Sequence, residues 1–257
     1  MRHKKILVTG GTGTLGRALV RRLVQDGHEV RVASRRLRPA HDRDERYSWA
    51  VVDLRSGHGV DAAVTGVDVI IHSATSPRRG AEVTLTRTLL EAVKRAGSPH
   101  LIYISIVGVD RIPLRYYQDK LAAEQLIAES GLPYTILRAT QFHDLVRYWF
   151  TWVTWPPVAL VPTMRFQPID VRDVADRLAE LVVGEPAGRV PDIGGPQVHH
   201  TRELARSYLQ ATGRRRLIVP VRVPGRTFRA FRQGHNLTEN AVDGVTFEEY
   251  LATPASH

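Results

Sequence analysis

Near its N-terminus the chain reads Ile6-Leu7-Val8-Thr9-Gly10-Gly11-Thr12-Gly13-Thr14-Leu15-Gly16. An apolar run typical of a β-strand meets three glycines in the spacing G-x-x-G-x-x-G, and an amphipathic segment follows at once. Here Gly10 permits a tight turn, Gly13 lets the backbone approach a pyrophosphate, and Gly16 lets the next helix pack closely. The free N–H groups and positive dipole end of that helix attract phosphate. The stretch therefore predicts a bound nucleotide cofactor, with contacts from Gly10, Thr12, Gly13, Thr14, Leu15 and Gly16.

Strand and helix patterns alternate after this turn, which predicts an α/β protein with a doubly wound parallel sheet of the Rossmann type. We predict strands at residues 5–9, 29–33, 49–52, 68–71, 101–105 and 134–138, with helices at 82–96 and 115–129. Residues 1–140 are the expected cofactor-binding core. Residues 141–257 are the expected substrate-binding region, integrated with the same sheet. This region has expected helices at 141–155, 170–183 and 202–211, strands at 166–169, 190–193 and 217–221, and two short helices at its end.

The composition limits the classes of partner. The 257 residues carry a formal net charge of +10 and no cysteine. The basic residues are dispersed and form no helical stripe with interleaved aromatic residues, so anionic small molecules are favoured over nucleic acid. Disulfides and thiolate metal sites are excluded, and the histidines show no metal-ligand spacing. Because no apolar run of about 18 residues and no signal peptide occur, we expect no membrane span and a cytoplasmic location.

The end of the second strand indicates which dinucleotide binds. An acidic residue there bonds the ribose 2′-hydroxyl of NAD, whereas an arginine accommodates the 2′-phosphate of NADP. The chain has Ser34 and Arg35 at this position and no acid, which predicts NADP(H). Further cofactor contacts are expected at the adenine edge and beside the pyrophosphate and ribose, from Asp53, Leu54, Ser73, Ala74 and Thr75.

The glycine motif and four later segments together resemble the atypical short-chain dehydrogenases/reductases, most closely their NmrA-like and isoflavone-reductase-like branch. Those segments are Tyr103-Ile104-Ser105-Ile106-Val107-Gly108, Lys120-Leu121-Ala122-Ala123-Glu124, Leu132-Pro133-Tyr134-Thr135-Ile136-Leu137-Arg138 and Asp170-Val171-Arg172-Asp173-Val174-Ala175. The resemblance implies a Rossmann domain with a small C-terminal substrate region. Some members of this group are NADPH-dependent reductases of carbonyls, quinones or conjugated double bonds. Others bind the dinucleotide without chemistry and act as redox sensors or regulators.

The resemblance also implies three catalytic residues. In the superfamily pattern Lys120 holds the nicotinamide ribose and lowers the pKa of Tyr116, which gives the proton, while Ser105 bonds the substrate oxygen. Tyr116 and Lys120 have the Y-x-x-x-K spacing of one helical turn. Pro113 places Tyr116 near the helix start, and Tyr117 is an equal rival for its position. In the isoflavone-reductase-like branch the lysine is the essential group, so Lys120 ranks first.

The segment after strand six follows the carboxyl end of a strand, where doubly wound folds bind ligands. Gln141 and His143 are therefore predicted to contact the nicotinamide or the substrate, together with Tyr117. The aromatic residues at 148–155 have three alternatives: core, the wall of a site for a flat apolar substrate, or a dimer contact. A membrane-surface helix is disfavoured because the stretch lacks lysines on its polar face.

These patterns predict an NADPH-dependent reductase that acts on a hydrophobic carbonyl, quinone or enone. The expected partner is a hydrophobic small molecule, and a homodimer stays open. Two other functions remain as alternatives: a non-catalytic NADP(H) sensor that regulates a partner protein, and a redox-neutral isomerase or epimerase that uses bound NADP.

Overall fold

A computed structural model of the chain describes residues 3–40, 42 and 44–253. The strands are β1 (Lys5–Thr9), β2 (Glu29–Ser34), β3 (Tyr47–Val51), β4 (Val69–His72), β5 (His100–Ile106), β6 (Tyr134–Ala139), β7 (Val158–Pro162), β8 (Arg165–Phe166), β9 (Gly188–Arg189), β10 (His199–His200) and β11 (Leu217–Val221). The helices are α1 (Thr14–Gln25), α2 (Val60–Val64), α3 (Ala81–Arg95), α4 (Arg115–Ala128), α5 (His143–Val153), α6 (Val171–Val183), α7 (Thr201–Ala211), α8 (Arg226–Gln233) and α9 (Phe247–Ala252).

Seven strands form one parallel sheet in the order β3-β2-β1-β4-β5-β6-β9. The strand order reverses at β1, which pairs with β2 on one side and β4 on the other. In doubly wound sheets the ligand cleft opens at this reversal, outside the carboxyl ends of the strands. The predicted fold class is therefore confirmed.

Two short strands differ from their predicted positions. The strand predicted at 190–193 is observed at Gly188–Arg189, and Ile193 only forms an isolated bridge with Ala139. The strand predicted at 166–169 is observed at Arg165–Phe166, with Ile169 bridged to Phe142. Both predictions were displaced because a short apolar run does not define the pairing register, which depends on distant partners.

Strand β7 was not predicted. It pairs in parallel with β11, with Val158 opposite Leu217. Its sequence follows Pro156-Pro157, which end the preceding aromatic segment, and it runs to Pro162. Pro162 is the last residue of the strand, where a missing N–H donor is tolerated.

The chain divides into two compact units. The first, here called the sheet unit, takes residues 1–105, 118–137 and 174–190; the second unit takes residues 106–117, 138–173 and 191–257. The roles predicted for residues 1–140 and 141–257 stay predictions. Within the part of the chain that the structure describes, no helix has the length and hydropathy needed to cross a membrane.

Each unit has its own apolar core. In the sheet unit the core contains side chains of the central strands and of α3, among them Leu7, Ile70, Leu89, Leu101 and Tyr103. In the second unit the core joins α5, α7, α9 and β7 through Phe150, Ala159, Leu204, Tyr208 and Phe247. The predicted helix 141–155 is observed as His143–Val153, and its aromatic residues divide between core and surface: Phe150 is buried, whereas Tyr148, Trp152 and Trp155 are exposed.

Candidate functional site

The glycine turn after β1 leaves no room for a side chain at Gly10 or at Gly16. Gly10 has a φ of +69°, and a Cβ there would lie 2.7 Å from the backbone nitrogen of Ala74. A Cβ on Gly16 would lie 2.2 Å from the carbonyl oxygen of Gly10. The Gly13 N–H donates to the same oxygen at 2.9 Å. Gly10 and Gly16 thus allow the backbone of the turn and the start of α1 to approach each other.

The N-terminus of α1 is open to an anion. Gly13 is the N-cap residue, no side chain caps the helix, and the first turn contains no acidic residue. The first N–H groups of a helix have no intrahelical partner and carry the positive end of its dipole. The turn and the helix therefore offer unopposed backbone donors where a phosphate would bind.

A cleft of about 1170 Å³ lies along this edge of the sheet unit. The predicted cofactor residues that line it are Gly10, Thr12, Gly13, Ser34, Arg35, Asp53, Leu54, Ser73, Ala74 and Thr75. Thr14, Leu15, Gly16 and Lys120 are not among its lining residues, and the Leu15 side chain is buried in the core. Sequence reasoning missed further arginines of the lining, which are Arg17, Arg21, Arg36, Arg46, Arg55 and Arg78.

The end of β2 presents hydroxyl and guanidinium groups to the cleft. Ser34 is buried, and its Oγ accepts a hydrogen bond from the backbone N–H of Arg36 at 3.2 Å. Arg35 and Arg36 are exposed. Among the described residues no acidic side chain forms an ion pair with either arginine. Their positive charge is therefore available to an anionic ligand.

Acidic residues of the β2–β3 loop have partners of their own. Arg46 donates to the two carboxylate oxygens of Asp44 at 2.7 and 2.6 Å, and these bonds lower the pKa of Asp44 to about 2. Asp42 accepts from the Tyr47 hydroxyl at 2.6 Å and from Arg38 at 3.3 Å. Because these carboxylates are engaged, they compensate little of the charge at the end of β2.

The carboxyl end of β4 is joined to β1 by side-chain hydrogen bonds. Ser73 Oγ donates to the Thr9 carbonyl oxygen at 2.7 Å, and the Ala74 N–H donates to Thr9 Oγ1 at 3.3 Å. His72 is fully buried, with Nδ1 2.7 Å from Thr9 Oγ1 and its ring stacked on Tyr103 at 5.4 Å. These contacts make His72 a packed, hydrogen-bonded core histidine.

His72 makes stability depend on pH. Burial lowers its pKa from 6.5 to about 4, so the unfolded chain binds a proton first as the pH falls. Its contribution is complete above pH 6.5 and is lost progressively between 6.5 and 4. We expect His72→Asn to remove about 2 kcal/mol from the stability loss seen in urea unfolding between about pH 6.5 and 5. An unchanged pH dependence in the variant would assign the loss to other groups.

An ion pair lies buried behind the cleft. The ammonium of Lys120 is 3.2 Å from Glu82 Oε2, and these residues are 3% and 0% exposed. Lys120 Nζ also donates to the Ile104 carbonyl oxygen at 3.2 Å and lies 4.6 Å from the centre of the Tyr103 ring. Burial lowers the pKa of Lys120, although Glu82 opposes that shift. Lys120 is thus held by α3 and β5 and is not a solvated helix lysine.

Glu82 connects this pair to the cleft and was missed by sequence reasoning. It accepts hydrogen bonds from the cleft-lining Thr75 hydroxyl and from the Ser76 N–H, the latter at 2.9 Å. Burial alone would raise the pKa of Glu82, but Lys120 and these donors hold it below its ordinary value. One signal was available: Glu82 falls three residues before Leu85 and seven before Leu89, on the apolar face of α3.

Ser105 and the two tyrosines differ in their surroundings. Ser105 is buried, and its Oγ makes no hydrogen bond within the described ranges. In the second unit Tyr117 is buried against the Phe231 ring, and burial raises its pKa to about 12. Tyr116 is half-buried. Of the two rivals, Tyr116 is the more accessible, and its role as proton donor stays a prediction.

Gln141 and His143 lie in the second unit. Gln141 Oε1 accepts from Asn236 Nδ2 at 3.2 Å; its own Nε2 is buried and has no hydrogen-bond partner in the described segments. His143 is fully buried, donates from Nε2 to the Val245 carbonyl oxygen at 2.9 Å and stacks on Tyr250 at 5.0 Å. Burial lowers the pKa of His143. Their contacts with a substrate stay predictions, and Asn236 is an addition that sequence reasoning missed.

The fold and the cleft define a Rossmann-type dinucleotide-binding protein. A family model described as NAD(P)H-binding matches residues 10–182, which is more than half of the chain. The chain belongs to this NAD(P)H-binding family, and the resemblance drawn from its motifs is confirmed.

Several known proteins are similar. The photosystem II assembly factor Ycf39 of Cyanophora paradoxa is 36% identical over 149 residues, 53% of this chain and 45% of that protein. Ycf39 of Synechocystis is 27% identical, with 97% of this chain and 80% of that protein covered. A (4-alkanoyl-5-oxo-2,5-dihydrofuran-3-yl)methyl phosphate reductase of Streptomyces griseus is 27% identical over 81% of this chain and 74% of that protein. The chain thus spans less than half of the length of the Cyanophora relative, and 80% and 74% of the lengths of the Synechocystis and Streptomyces relatives.

Two solved structures share the fold. A nucleoside-diphosphate-sugar epimerase of Staphylococcus aureus has a TM-score of 0.83 at 18% identity and covers 97% of this chain and 100% of that chain. The NADPH-dependent quinone oxidoreductase QOR2 of Escherichia coli, complexed with NADPH, has a TM-score of 0.80 at 18% identity and covers 96% and 98%. At this identity the likeness is one of fold.

Proposed function

We propose that this protein is an NADP(H)-dependent reductase of a hydrophobic carbonyl, quinone or enone. The observation that carries the proposal is the cleft itself. It combines a glycine turn without room for a side chain at Gly10 or Gly16 with exposed arginines at the end of β2 that form no ion pair with a described residue. The name of the Streptomyces relative, a reductase of an unsaturated carbonyl compound, supports the reaction class.

The residues of the cleft fit a phosphorylated dinucleotide. The first turn of α1 would hold the pyrophosphate through its backbone N–H groups, and Gly13, whose own N–H donates to the Gly10 carbonyl oxygen, would let the backbone approach it closely. Ser34 and Arg35 would bind the 2′-phosphate, with the guanidinium offering a planar pair of donors. Asp53, whose carboxylate accepts from the Arg55 N–H at 2.9 Å, would lie at the adenine edge. When bound, the reduced cofactor supplies the hydride of the reaction.

The remaining chemistry is assigned to three side chains. Lys120 would orient the ribose and raise the acidity of the Tyr116 hydroxyl, which gives a proton to the substrate oxygen. Ser105 would donate to the same oxygen, because its buried hydroxyl has no hydrogen-bond partner among the described residues. Glu82 holds the Lys120 ammonium at 3.2 Å and so acts as its positioning residue.

The first experiment is calorimetric titration of the purified protein with NADPH and with NADH, followed by NADPH oxidation in the presence of quinones and enones. The proposal predicts tighter binding of NADPH and turnover with at least one apolar acceptor. Binding without turnover of any acceptor would favour a non-catalytic role, and absence of binding would overturn the proposal.

Arg35→Ala tests the assigned cofactor preference. A hydrogen bond to a charged group contributes about 1.5–3 kcal/mol, so we expect the Kd for NADPH to rise about 10- to 100-fold. The Kd for NADH should stay within about twofold because NADH lacks the 2′-phosphate. Arg87→Ala, which removes an exposed arginine on α3 outside the cleft, is the matched control. An equal rise of the Kd for NADPH and for NADH in Arg35→Ala would exclude a contact between Arg35 and the 2′-phosphate.

A second candidate function is that of an NADP(H)-binding regulator or assembly factor without chemistry. The observation that favours it is the engagement of Lys120 by Glu82, Ile104 and the Tyr103 ring, in a residue that is only 3% exposed. The two Ycf39 relatives, named as photosystem II assembly factors, support this candidate. Turnover in the NADPH oxidation assay distinguishes the two functions.

A further inference from the structure

The second unit exposes large apolar side chains on neighbouring elements. Along α5 and just beyond it, Tyr148, Trp152 and Trp155 follow one another at helical spacing, and the two tryptophans are 66% and 74% exposed. Tyr148 and Trp152 contact each other edge to face at 6.2 Å. We call this surface the aromatic ridge, and it includes Leu145 at its start.

The β7–β11 ribbon, which begins three residues after Trp155, also exposes apolar side chains. Val158 and Leu217 are paired in register, so both side chains point to the same face, and both are exposed. Leu160, two residues after Val158 in β7, is also exposed on that face. The alternate residues Ala159 and Val161 are buried. The outer face of the ribbon is therefore apolar although it faces solvent.

A basic pocket borders the ribbon. It has a volume of about 420 Å³, and its lining contains no acidic residue. Its lining combines three apolar residues, Leu209, Leu217 and Ile218, with five arginines from α7 and from the segment before β11, which are Arg202, Arg206, Arg214, Arg215 and Arg216. All five are exposed. Leu217 lines this pocket and also pairs with Val158, so the pocket and the ribbon share a border.

We propose that this surface docks on a lipid bilayer that contains anionic phospholipids. Tryptophan and tyrosine are favoured at the membrane–water interface, because their rings are largely apolar and carry one polar group. Clustered arginines are attracted to the negative surface of such a bilayer. The basic pocket would receive headgroup phosphates while the aromatic ridge and the ribbon enter the interface. The sequence of α5 alone argues against this role, but the arginines of α7 and the β11 approach supply the charge that α5 lacks.

Charge favours a bilayer over a second copy of the chain. A two-fold symmetric dimer that used this surface would bring the five arginines of each copy into one interface, and the pocket lining contains no acidic residue to pair with them. Like charges placed opposite each other disfavour such an interface. An anionic bilayer satisfies the arginines and the apolar side chains together. The proposal is independent of whether the dinucleotide site is catalytic.

Vesicle co-sedimentation tests the proposal, with vesicles of phosphatidylcholine alone and of phosphatidylcholine mixed with an equal amount of phosphatidylglycerol. We expect binding to the mixed vesicles only, weakened by potassium chloride because salt screens exposed charges. Arg214→Ser/Arg215→Ser/Arg216→Ser should lower the partition coefficient about 100-fold, at about 1 kcal/mol per arginine. Trp152→Ser/Trp155→Ser should lower it at least about tenfold, since two aromatic rings no longer enter the interface.

Matched controls separate position from composition. Arg222→Ser/Arg226→Ser/Arg229→Ser removes the same charge from exposed positions outside the pocket, and Val183→Ser/Val198→Ser removes exposed apolar groups elsewhere. Both should bind like the wild type, and circular dichroism and thermal melting should show that all variants fold. Bromine on the acyl chains should quench the tryptophan fluorescence of the wild type on binding.

Three results would overturn the proposal. The first is equal binding to both kinds of vesicle, which would remove the role of headgroup charge. The second is an equal loss of binding in the two triple-arginine variants, which would show that binding depends on net charge and not on the arginines of the pocket. The third is a dimer in sedimentation that the tryptophan substitutions convert to a monomer, which would show that a second copy covers the ridge.

Discussion

Lys120→Met is expected to destabilise the fold by about 3–5 kcal/mol, because removing one member of a buried ion pair leaves the other charge uncompensated. The remaining group is Glu82, which is fully buried and within 3.2 Å of the lost ammonium. Methionine has a similar length and keeps the packing against the Tyr103 ring, so the change isolates the charge. Urea unfolding at neutral pH measures the effect.

The double variant Glu82→Gln/Lys120→Met is the control. It removes both charges together, and we expect it to recover most of the lost stability, since a buried pair is often replaceable as a whole. Glutamine can still accept from the Thr75 hydroxyl and the Ser76 N–H. If the single variant proves as stable as the wild type, the ion pair is more hydrated than its 3% and 0% exposures indicate.

The same double variant separates a catalytic lysine from a structural one. If Lys120 orients the ribose and assists the proton donor, the folded double variant should bind NADPH more weakly and lose turnover. If the lysine only completes the core, turnover should return together with stability. The pH profile of activity is a second measurement, and it does not depend on stability. Glu82→Gln alone should shift the alkaline limb of this profile, because Glu82 raises the pKa of Lys120 against the effect of burial.

Gly16→Ala has the second large expected effect. The added Cβ would lie 2.2 Å from the Gly10 carbonyl oxygen and 2.6 Å from Gly11 Cα, so the turn and α1 must separate. Both obstacles are backbone and cannot rotate away, and we expect a loss of about 3 kcal/mol in stability. The displaced N–H groups should also raise the Kd for NADPH about 100-fold, because charge-assisted hydrogen bonds depend on their geometry.

Two other glycines provide the comparison. Gly13→Ala places a Cβ 3.2 Å from the Gly10 carbonyl oxygen, which is less close than in Gly16→Ala. It should therefore preserve the stability of the fold and weaken only the binding of the cofactor. Gly184→Ala meets nothing closer than 3.7 Å, and we expect no effect on either property. Thermal melting and calorimetric titration of the three variants measure the two effects separately. Similar behaviour of Gly13→Ala and Gly16→Ala in melting would contradict the assigned roles.

The sequence predicts the sheet unit well because its signals are local. The apolar run of β1, the glycine turn and the stripe of Leu19 and Leu23 on α1 all lie within one βαβ unit. The absence of an acid after β2 is local too, and Ser34 and Arg35 do line the cleft. Each of these features is read from neighbours along the chain, which is where sequence patterns are most informative.

Long-range partners were beyond this kind of reasoning. Glu82 and Lys120 are 38 positions apart by their numbers, and only the packing of α3 and α4 against β5 brings their charges together. Likewise, β7 is stable as a strand only because β11, from the far end of the second unit, pairs with it. The sequence shows a glutamate on an apolar helix face and an apolar run between prolines, but neither pattern identifies its partner.

The route of the chain through the two units determines at which stage of synthesis the sheet can be completed. The sheet unit is assembled from three separated stretches, and its last strand, β9, ends at Arg189. A ribosome therefore has to release the chain as far as Arg189 before the final edge of the sheet can close. Until then β6 presents an open edge to its surroundings, and this is the interval in which nascent chains would depend most on chaperones. Chimeras between relatives should accordingly exchange residues 174–190 together with the N-terminal stretches.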